Sequence, residues 1–570
     1  MKHEKPTGTF AAEAVLTHMK AAGIDVLFAN GGTDFPSIIE AFARQSETGL
    51  KMPEALVIPH EGVAVGMAHG YYLMTSKPAG VIVHVNVGLA NSVMGLINAR
   101  SENVPVMMFS GRTPITEHGR FGSRSSPIHW GQEMFDQGGM VREVVKWDYE
   151  LRYAEQAGIV IDRAMSIAMS EPRGPVYLSL PREALAEGAK IEDGQRSTVT
   201  PTTYGPADPA LVAEAADLLA KAKNPLIICQ SPELGPDFEP LSSFIDKFAL
   251  PTVEMWATRL ALPSDHPMMI GRDSTQVLKE ADVVLVINAA VPWISDHTEP
   301  MEGAKIIAIG PDPQHSRVPI RSFPIDIALA GGINKTIAAL AAAMAERMPA
   351  SETFSERREK WAKVKAAQVE AATKHAALGN GSPMTPAYVS RCISDIMDDK
   401  TTVVNELGID PSVMNFTHPK AFFSTPLSGG LGFGVTAALG AQLAAQRQGE
   451  GRQVIATVGD GSYMFANPVA CHQTATALKL PLLTIVFNNG IWNAVRRSTL
   501  YMYPDGSAAT ANIMPITALD PAPDYAAVAR AHGAHAERVE NGADLPAALQ
   551  RALAATKSGQ QAMLEVMVSY

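Results

Sequence analysis

Short apolar runs rich in Val and Ile alternate with amphipathic stretches along the whole chain. DVLFANGG, ALVIPHEG, AGVIVHVNVG and VPVMMFSG come early, and NPLIICQ, ADVVLVINAA and AKIIAIGPD occupy the middle. RQVIATVGDG and PLLTIVFNNG come late. Each run is strand-length and ends in small or polar residues, which predicts βα units with buried parallel strands. Two stretches break the pattern. Glu187 to Gly205 is polar and turn-rich, and Pro349 to Thr385 is a charged, Ala-rich helical stretch ending in LGNGSPMT. They separate three α/β segments, 1–188, 204–345 and 380–570. The predicted fold is α/β, three consecutive doubly wound parallel-sheet domains. Ligands of such sheets sit beyond the carboxyl ends of the strands, so the residues just after each run matter most.

Composition narrows the partners. With 570 residues the chain exceeds one hydrophobic core, and its 46% hydrophobic and 18% charged content is that of a globular protein. A net charge of -11 opposes general nucleic-acid binding, because a phosphate backbone would be repelled. Cys229, Cys392 and Cys471 stand far apart, with neither metal-type nor disulfide-framework spacing. The first residues, MKHEKPTGTFAAEAV, offer no signal-peptide core, and no run reaches the ~18 apolar residues of a membrane span. A cytoplasmic protein with no nucleic-acid or membrane partner is expected.

The most specific chemistry lies in the last segment. VIATVGDGS ends in Gly459-Asp460-Gly461-Ser462, and a second strand-like run ends in Asn488-Asn489-Gly490, 28 and 29 residues beyond Asp460 for the two asparagines. A carboxylate and an amide at the ends of two parallel strands can converge on one hard cation such as Mg2+. The glycines let backbone N–H groups and a helix start approach a diphosphate. A lone GDG also fits an Asp that merely caps a helix. The pair of motifs resembles the metal signature of the thiamine-diphosphate enzymes. That resemblance implies Asp460, Asn489 and the carbonyl of Ile491 as metal ligands. The spacing is slightly longer than is usual in the family and leaves Asn488 open as an alternative to Asn489.

The first segment carries the second resemblance. In ALVIPHEGVAVGMAHGYYLMTSKPAGV, Glu61 follows a strand-like run and opens an amphipathic helix, in the pattern HE-x-x-A-x-x-x-A-x-G-Y. The family implies Glu61 as the carboxylic acid that activates the cofactor's aminopyrimidine. An ordinary helix-start Glu favoured by the macrodipole is the simpler reading of Glu61 in isolation. STPLSGGLGFGVTAALGAQ resembles the segment holding the apolar wedge beneath the cofactor, with Leu431 at that position. Gly408 and Ile409, in NELGID, fall where the family approaches the diphosphate. The resemblance covers nearly the whole chain and names its three domains pyrimidine-binding, central and diphosphate-binding. It implies a cofactor held between two subunits, hence a homodimer at least and commonly a homotetramer.

The substrate side resembles benzoylformate decarboxylase most closely. His84 stands 23 positions after Glu61, at the end of GVIV, where that family carries an active-site His. Thr33, in Asn30-Gly31-Gly32-Thr33, matches a substrate-binding hydroxyl, and equally fits an N-cap for a helix beginning near Phe35. His297 is offset from the family's second His and reads as an exposed loop residue. Trp492 and Val495 follow the metal motif and are implied as pocket residues, although Trp492 also fits simple packing. His129, Gln132 and Glu133 lie near a phenylalanine-glutamine pair of acetolactate synthases. PLIICQSPELGP in the central segment lacks a glycine cluster at its strand end, so no FAD is expected there. The expected activity is cleavage next to the carbonyl of a small molecule: decarboxylation of a 2-oxo acid, or cleavage of a related 2-hydroxy carbonyl compound. The alternative is an acetolactate-synthase-like carboligase. A non-catalytic homologue would lack Glu61, Asp460 or Asn489, and all three are present.

Overall fold

The computed structural model describes residues 8–191, 200–348 and 352–569. The first residues and part of each expected linker lie outside these. The remainder of the second linker is dominated by one helix, Glu352–Ala377.

Eighteen strands form three six-stranded sheets among the described residues. The first sheet contains β1 (Val26–Ala29), β2 (Glu54–Val57), β3 (Gly80–Val83), β4 (Met107–Arg112), β5 (Asp148–Glu150) and β6 (Val176–Pro181), in the order β2-β1-β3-β4-β6-β5. The second contains β7 (Pro225–Cys229), β8 (Thr252–Glu254), β9 (Met269–Gly271), β10 (Val283–Ile287), β11 (Lys305–Gly310) and β12 (Ile327–Ala330), in the order β12-β11-β10-β7-β8-β9. The third contains β13 (Thr401–Glu406), β14 (Phe422–Ser424), β15 (Gln453–Gly459), β16 (Leu483–Asn488), β17 (His535–Val539) and β18 (Ala562–Met567), in the order β14-β13-β15-β16-β18-β17. Every pairing is parallel. The three domains are thus α/β with doubly wound sheets.

The apolar runs explain the layers. In β7, β10 and β11, Ile227, Leu285 and Ile307 feed one core, and Leu226, Val284 and Ile306 feed the other. Successive side chains point to opposite faces, so a strand covered on both sides must be apolar throughout. β2 departs from this expectation: it is an edge strand with Leu56 buried and Val57 77% exposed.

The chain folds as two compact units. One is built from the described residues of Met1–Thr202, Pro426–Gly449 and Phe465–Leu480, and the other from those of Thr203–Thr425, Glu450–Met464 and Pro481–Tyr570. In the first unit the helix Glu61–Thr75 crosses the helix Phe433–Gln448 backbone to backbone. A Cβ on Gly66 would lie 2.0 Å from Thr436 Oγ1, and one on Gly70 1.8 Å from the Ala437 carbonyl oxygen. One on Gly440 would lie 1.9 Å from the Met67 carbonyl oxygen. The Glu61 helix is therefore buried nearly all round from Val63 to Met74, not amphipathic as expected, because it packs against strands on one side and helices on others.

Candidate functional site

In the second unit, the strand order of the third sheet reverses between β13 and β15, where α/β sheets open a crevice. β13 ends in Glu406, and the chain turns through Leu407 to Gly408 and Ile409. The buried amide oxygen of Asn405 accepts the N–H groups of Gly408 at 3.2 Å and Ile409 at 3.3 Å, and the Thr457 hydroxyl at 3.1 Å. Sequence reading did not single out Asn405, because an Asn inside a strand carries no motif of its own.

β15 ends in Gly459, and Asp460 opens the helix Asp460–Phe465, with Gly461 and Ser462 buried behind it. The Asp460 carboxylate is 2% exposed. One oxygen accepts Gly461 N–H at 2.8 Å; the other accepts Asn489 N–H at 3.2 Å and Gly490 N–H at 2.7 Å. Burial pushes this carboxyl above its ordinary range, and the three N–H groups pull the other way. A buried carboxylate of that kind suits a cation. Asn488 ends β16 fully buried and donates to Glu565 at 2.8 Å, which ties it into the sheet. Asn489 is half-buried, and its amide oxygen accepts a local bond from Ile491 N–H at 3.1 Å. The Ile491 carbonyl accepts Asn493 N–H at 2.9 Å. One carboxylate, one amide and one carbonyl form an all-oxygen set that Mg2+ would complete with phosphate and water oxygens, so the residues present fit a metal-bound diphosphate. Trp492 precedes the helix Asn493–Met502, and its ring lies 3.5 Å from the place of a Gly461 Cβ. Val495 and His297 are exposed, and His297 meets Tyr501 edge-on at 5.9 Å between ring centres.

In the first unit, the switch point falls between β1 and β3. Glu61 is the first residue of its helix, half-buried, and accepts from Asn91 at 3.2 Å. Asn91 belongs to the helix Val85–Ser101, whose N-cap is His84 at the end of β3. A Cβ on Gly88 in that helix would lie 3.3 Å from Glu61 Oε1, and Gly88 N–H donates to the His84 carbonyl at 2.7 Å. One helix start thus separates and fixes Glu61 and His84. The His84 ring is held at both nitrogens: Nδ1 meets Asp34, and Nε2 meets the Gln132 amide nitrogen at 3.0 Å. Asp34 raises the His84 pKa by this hydrogen bond and by its charge; burial opposes, and Glu61 adds a smaller push upward. Asp34 is the second residue that sequence reading missed.

Thr33 is exposed in the turn after β1. It does not cap the next helix: Pro36 occupies the first turn of Pro36–Ala43, Phe35 stands at the N-cap, and no side chain caps. Pro lacks the N–H a cap would bind and presets the helical φ, so the turn closes without the hydroxyl. His129 is buried, its Nδ1 accepting Ser125 N–H at 3.0 Å, and burial lowers its pKa. Glu133 bridges Arg112, at 2.8 Å, and Arg124, which clamps the segment carrying Gln132. Leu431 is half-buried in the turn Pro426–Gly432, where Asn98 accepts Gly430 N–H at 3.1 Å and the Ser428 hydroxyl at 2.7 Å.

Three family models match the chain in succession: "Thiamine pyrophosphate enzyme, N-terminal TPP binding domain" over residues 10–140, the central domain over 212–340 and the C-terminal TPP binding domain over 411–566. The chain belongs to the thiamine pyrophosphate enzyme family. The enzyme is 26% identical to benzoylformate decarboxylase of Pseudomonas aeruginosa over 95% of this chain and 96% of that protein. It is 24% identical to the acetolactate synthase large subunit of Mycobacterium tuberculosis over 98% and 95%. Its fold matches the crystal structure of benzoylformate decarboxylase from Polynucleobacter necessarius, with TM-score 0.78, 21% identity and 99% of each chain covered. Among the described residues no helix is long and apolar enough to cross a membrane.

Proposed function

We propose that the enzyme is a thiamine-diphosphate- and Mg2+-dependent carbon–carbon lyase that decarboxylates a 2-oxo acid and releases the aldehyde. When bound, the cofactor supplies a carbon nucleophile and an electron sink next to the substrate carbonyl. Asp460, Asn489 and the Ile491 carbonyl would hold Mg2+, and Gly408, Ile409, Gly459, Gly461 and Ser462 would line the diphosphate. Leu431 would support the cofactor from below, and Glu61 would exchange the proton that activates it. Thr33 offers an exposed hydroxyl for the substrate carboxylate. The same reading takes the active form as a homodimer at least, and a homotetramer by the family's habit. No flavin is assigned to the central domain.

The observation that carries the lyase reading is His84. It follows β3 directly in the domain of Glu61, and Asp34 holds its pKa above the ordinary histidine value. A histidine whose protonated form is favoured by a neighbouring carboxylate is suited to deliver a proton to the carbon that loses carbon dioxide. The benzoylformate decarboxylase relative supports the same class. A second reading, carboligation of the acetolactate-synthase kind, draws on Gln132, whose amide covers His84 Nε2 at 3.0 Å. While that cover stays in place, a second carbonyl meets less competition from a proton.

The test is product analysis on aromatic and aliphatic 2-oxo acids, with and without an added acceptor aldehyde. The lyase reading expects carbon dioxide and free aldehyde without the acceptor. His84→Ala should slow aldehyde release by about 10²–10⁴-fold, the range for losing one general acid, with cofactor affinity nearly unchanged. Product formed only when the acceptor is present would move the enzyme to the carboligase class.

A further inference from the structure

We propose that Asp34 is the positioning residue for His84: it fixes the ring with its proton on Nδ1, so that Nε2 is the atom through which the ring exchanges protons. This rests on the reading of His84 as a proton donor, and goes beyond it by naming what sets the ring's orientation and tautomer. Asp34 lies in the turn between β1 and the helix Pro36–Ala43, with its side chain only 3% exposed. A carboxylate that deep must be met by donors. It has two from the β3 end: one oxygen faces His84 Nδ1, and the other accepts Val85 N–H at 3.3 Å. An unprotonated Nδ1 would set two acceptors against each other, so Nδ1 carries the hydrogen. In the neutral ring Nε2 is then the acceptor, which suits the Gln132 amide N–H at 3.0 Å.

Two further features shape the backbone around this contact. A Cβ on Gly111, at the end of β4, would lie 1.5 Å from Asp34 Oδ2. One on Gly32 would lie 2.3 Å from His84 Nδ1 and 2.4 Å from Asp34 Oδ1. Val85, directly after His84, sits at φ +29, in a region that β-branched residues avoid. The bond from its N–H to Asp34 holds that turn, so one carboxylate fixes both the ring and the backbone that carries it. Such strain gathers where a side chain must be aimed.

The charged and titratable groups facing His84 are Asp34 from the β1 turn, Glu61 from its helix and His129 from the segment carrying Gln132. Asp34 is the principal group favouring the protonated ring, through both hydrogen bond and charge; burial works against it, and Glu61 adds less.

The experiment is nitrogen NMR of holoenzyme labelled with ¹⁵N-histidine, the His84 signal being assigned by its loss in His84→Asn. The neutral ring should show a protonated Nδ1 and a bare Nε2; the opposite tautomer overturns the proposal. In Asp34→Asn, a near-isosteric change, the His84 titration and the alkaline limb of the kcat profile should both fall by about one pH unit, with KM within about threefold. An unchanged titration and profile would also overturn it. The wild-type tautomer decides the matter even if the variant fails to fold. An active His84→Ala would sink the lyase reading without moving the wild-type resonance, so the two failures are told apart.

Discussion

The central and C-terminal sheets offer the same kind of crevice and finish it in opposite ways. The central order, β12-β11-β10-β7-β8-β9, is that of dinucleotide-binding sheets, with its switch point between β7 and β10. There the crevice is crossed by side chains. Gln230, after β7, accepts Ala290 N–H at 3.0 Å and donates to the Met255 carbonyl at 3.3 Å. Asn288 donates to the Ser231 carbonyl at 2.8 Å, and Arg321 to the Ala290 carbonyl at 3.0 Å. At the end of β15, beside the C-terminal switch point, a buried carboxylate, Asp460, gathers N–H groups from its own helix start and from the loop after β16. The central crevice satisfies its own backbone; the C-terminal one concentrates negative charge that a cation would balance. Chemistry therefore follows the residues after the strands and not the strand order, even where that order is the one associated with nucleotides.

Asp460→Ala should break the difference most severely. Thiamine diphosphate affinity in the presence of Mg2+ should fall by at least about 100-fold, the upper end of what losing even a supporting outer-shell partner costs. Calorimetric titration of the apoprotein measures this, and full occupancy in the variant would remove Asp460 from the metal site. Gln230→Ala should act on stability instead. It leaves the Ala290 N–H and the Met255 carbonyl without their partner, a cost of about 1–3 kcal/mol, read as a lowered thermal midpoint with cofactor affinity unchanged. A loss of cofactor binding in that variant would mean that the central crevice serves the site. The smallest signal sharpens the contrast: purified protein should show roughly zero absorbance above about 400 nm, and FAD released on denaturation would overturn the closed reading of the crevice.

Much of this was legible in the sequence, for identifiable reasons. Strands buried on both faces must be continuously apolar, so GVIV, PLIIC and VVLVI declare themselves. β2 misleads because an edge strand needs only Leu56 inside. Asp460 and Asn489 carry a spacing, and Glu61 a local pattern, that no packing role imposes. Asp34 was invisible because its partner is 50 residues away and its own turn looks like any helix start. Thr33 fitted a helix cap as well as a substrate-binding hydroxyl, and Pro36 in the first turn removes the cap. The crossing of the Glu61 helix over Phe433–Gln448 depends on Gly70 and Gly440, which are far apart in sequence and meet only in the folded unit.

The account stands most directly on Glu61→Gln. The amide keeps the shape and can still accept from Asn91, but it cannot supply a proton. Thiamine diphosphate and Mg2+ should bind within a few-fold of wild type in a calorimetric titration, while turnover of a 2-oxo acid by the same preparation falls by about 10²–10⁴-fold. Near-normal turnover in the fully loaded variant would contradict the assignment of Glu61 and, with it, the proposed chemistry.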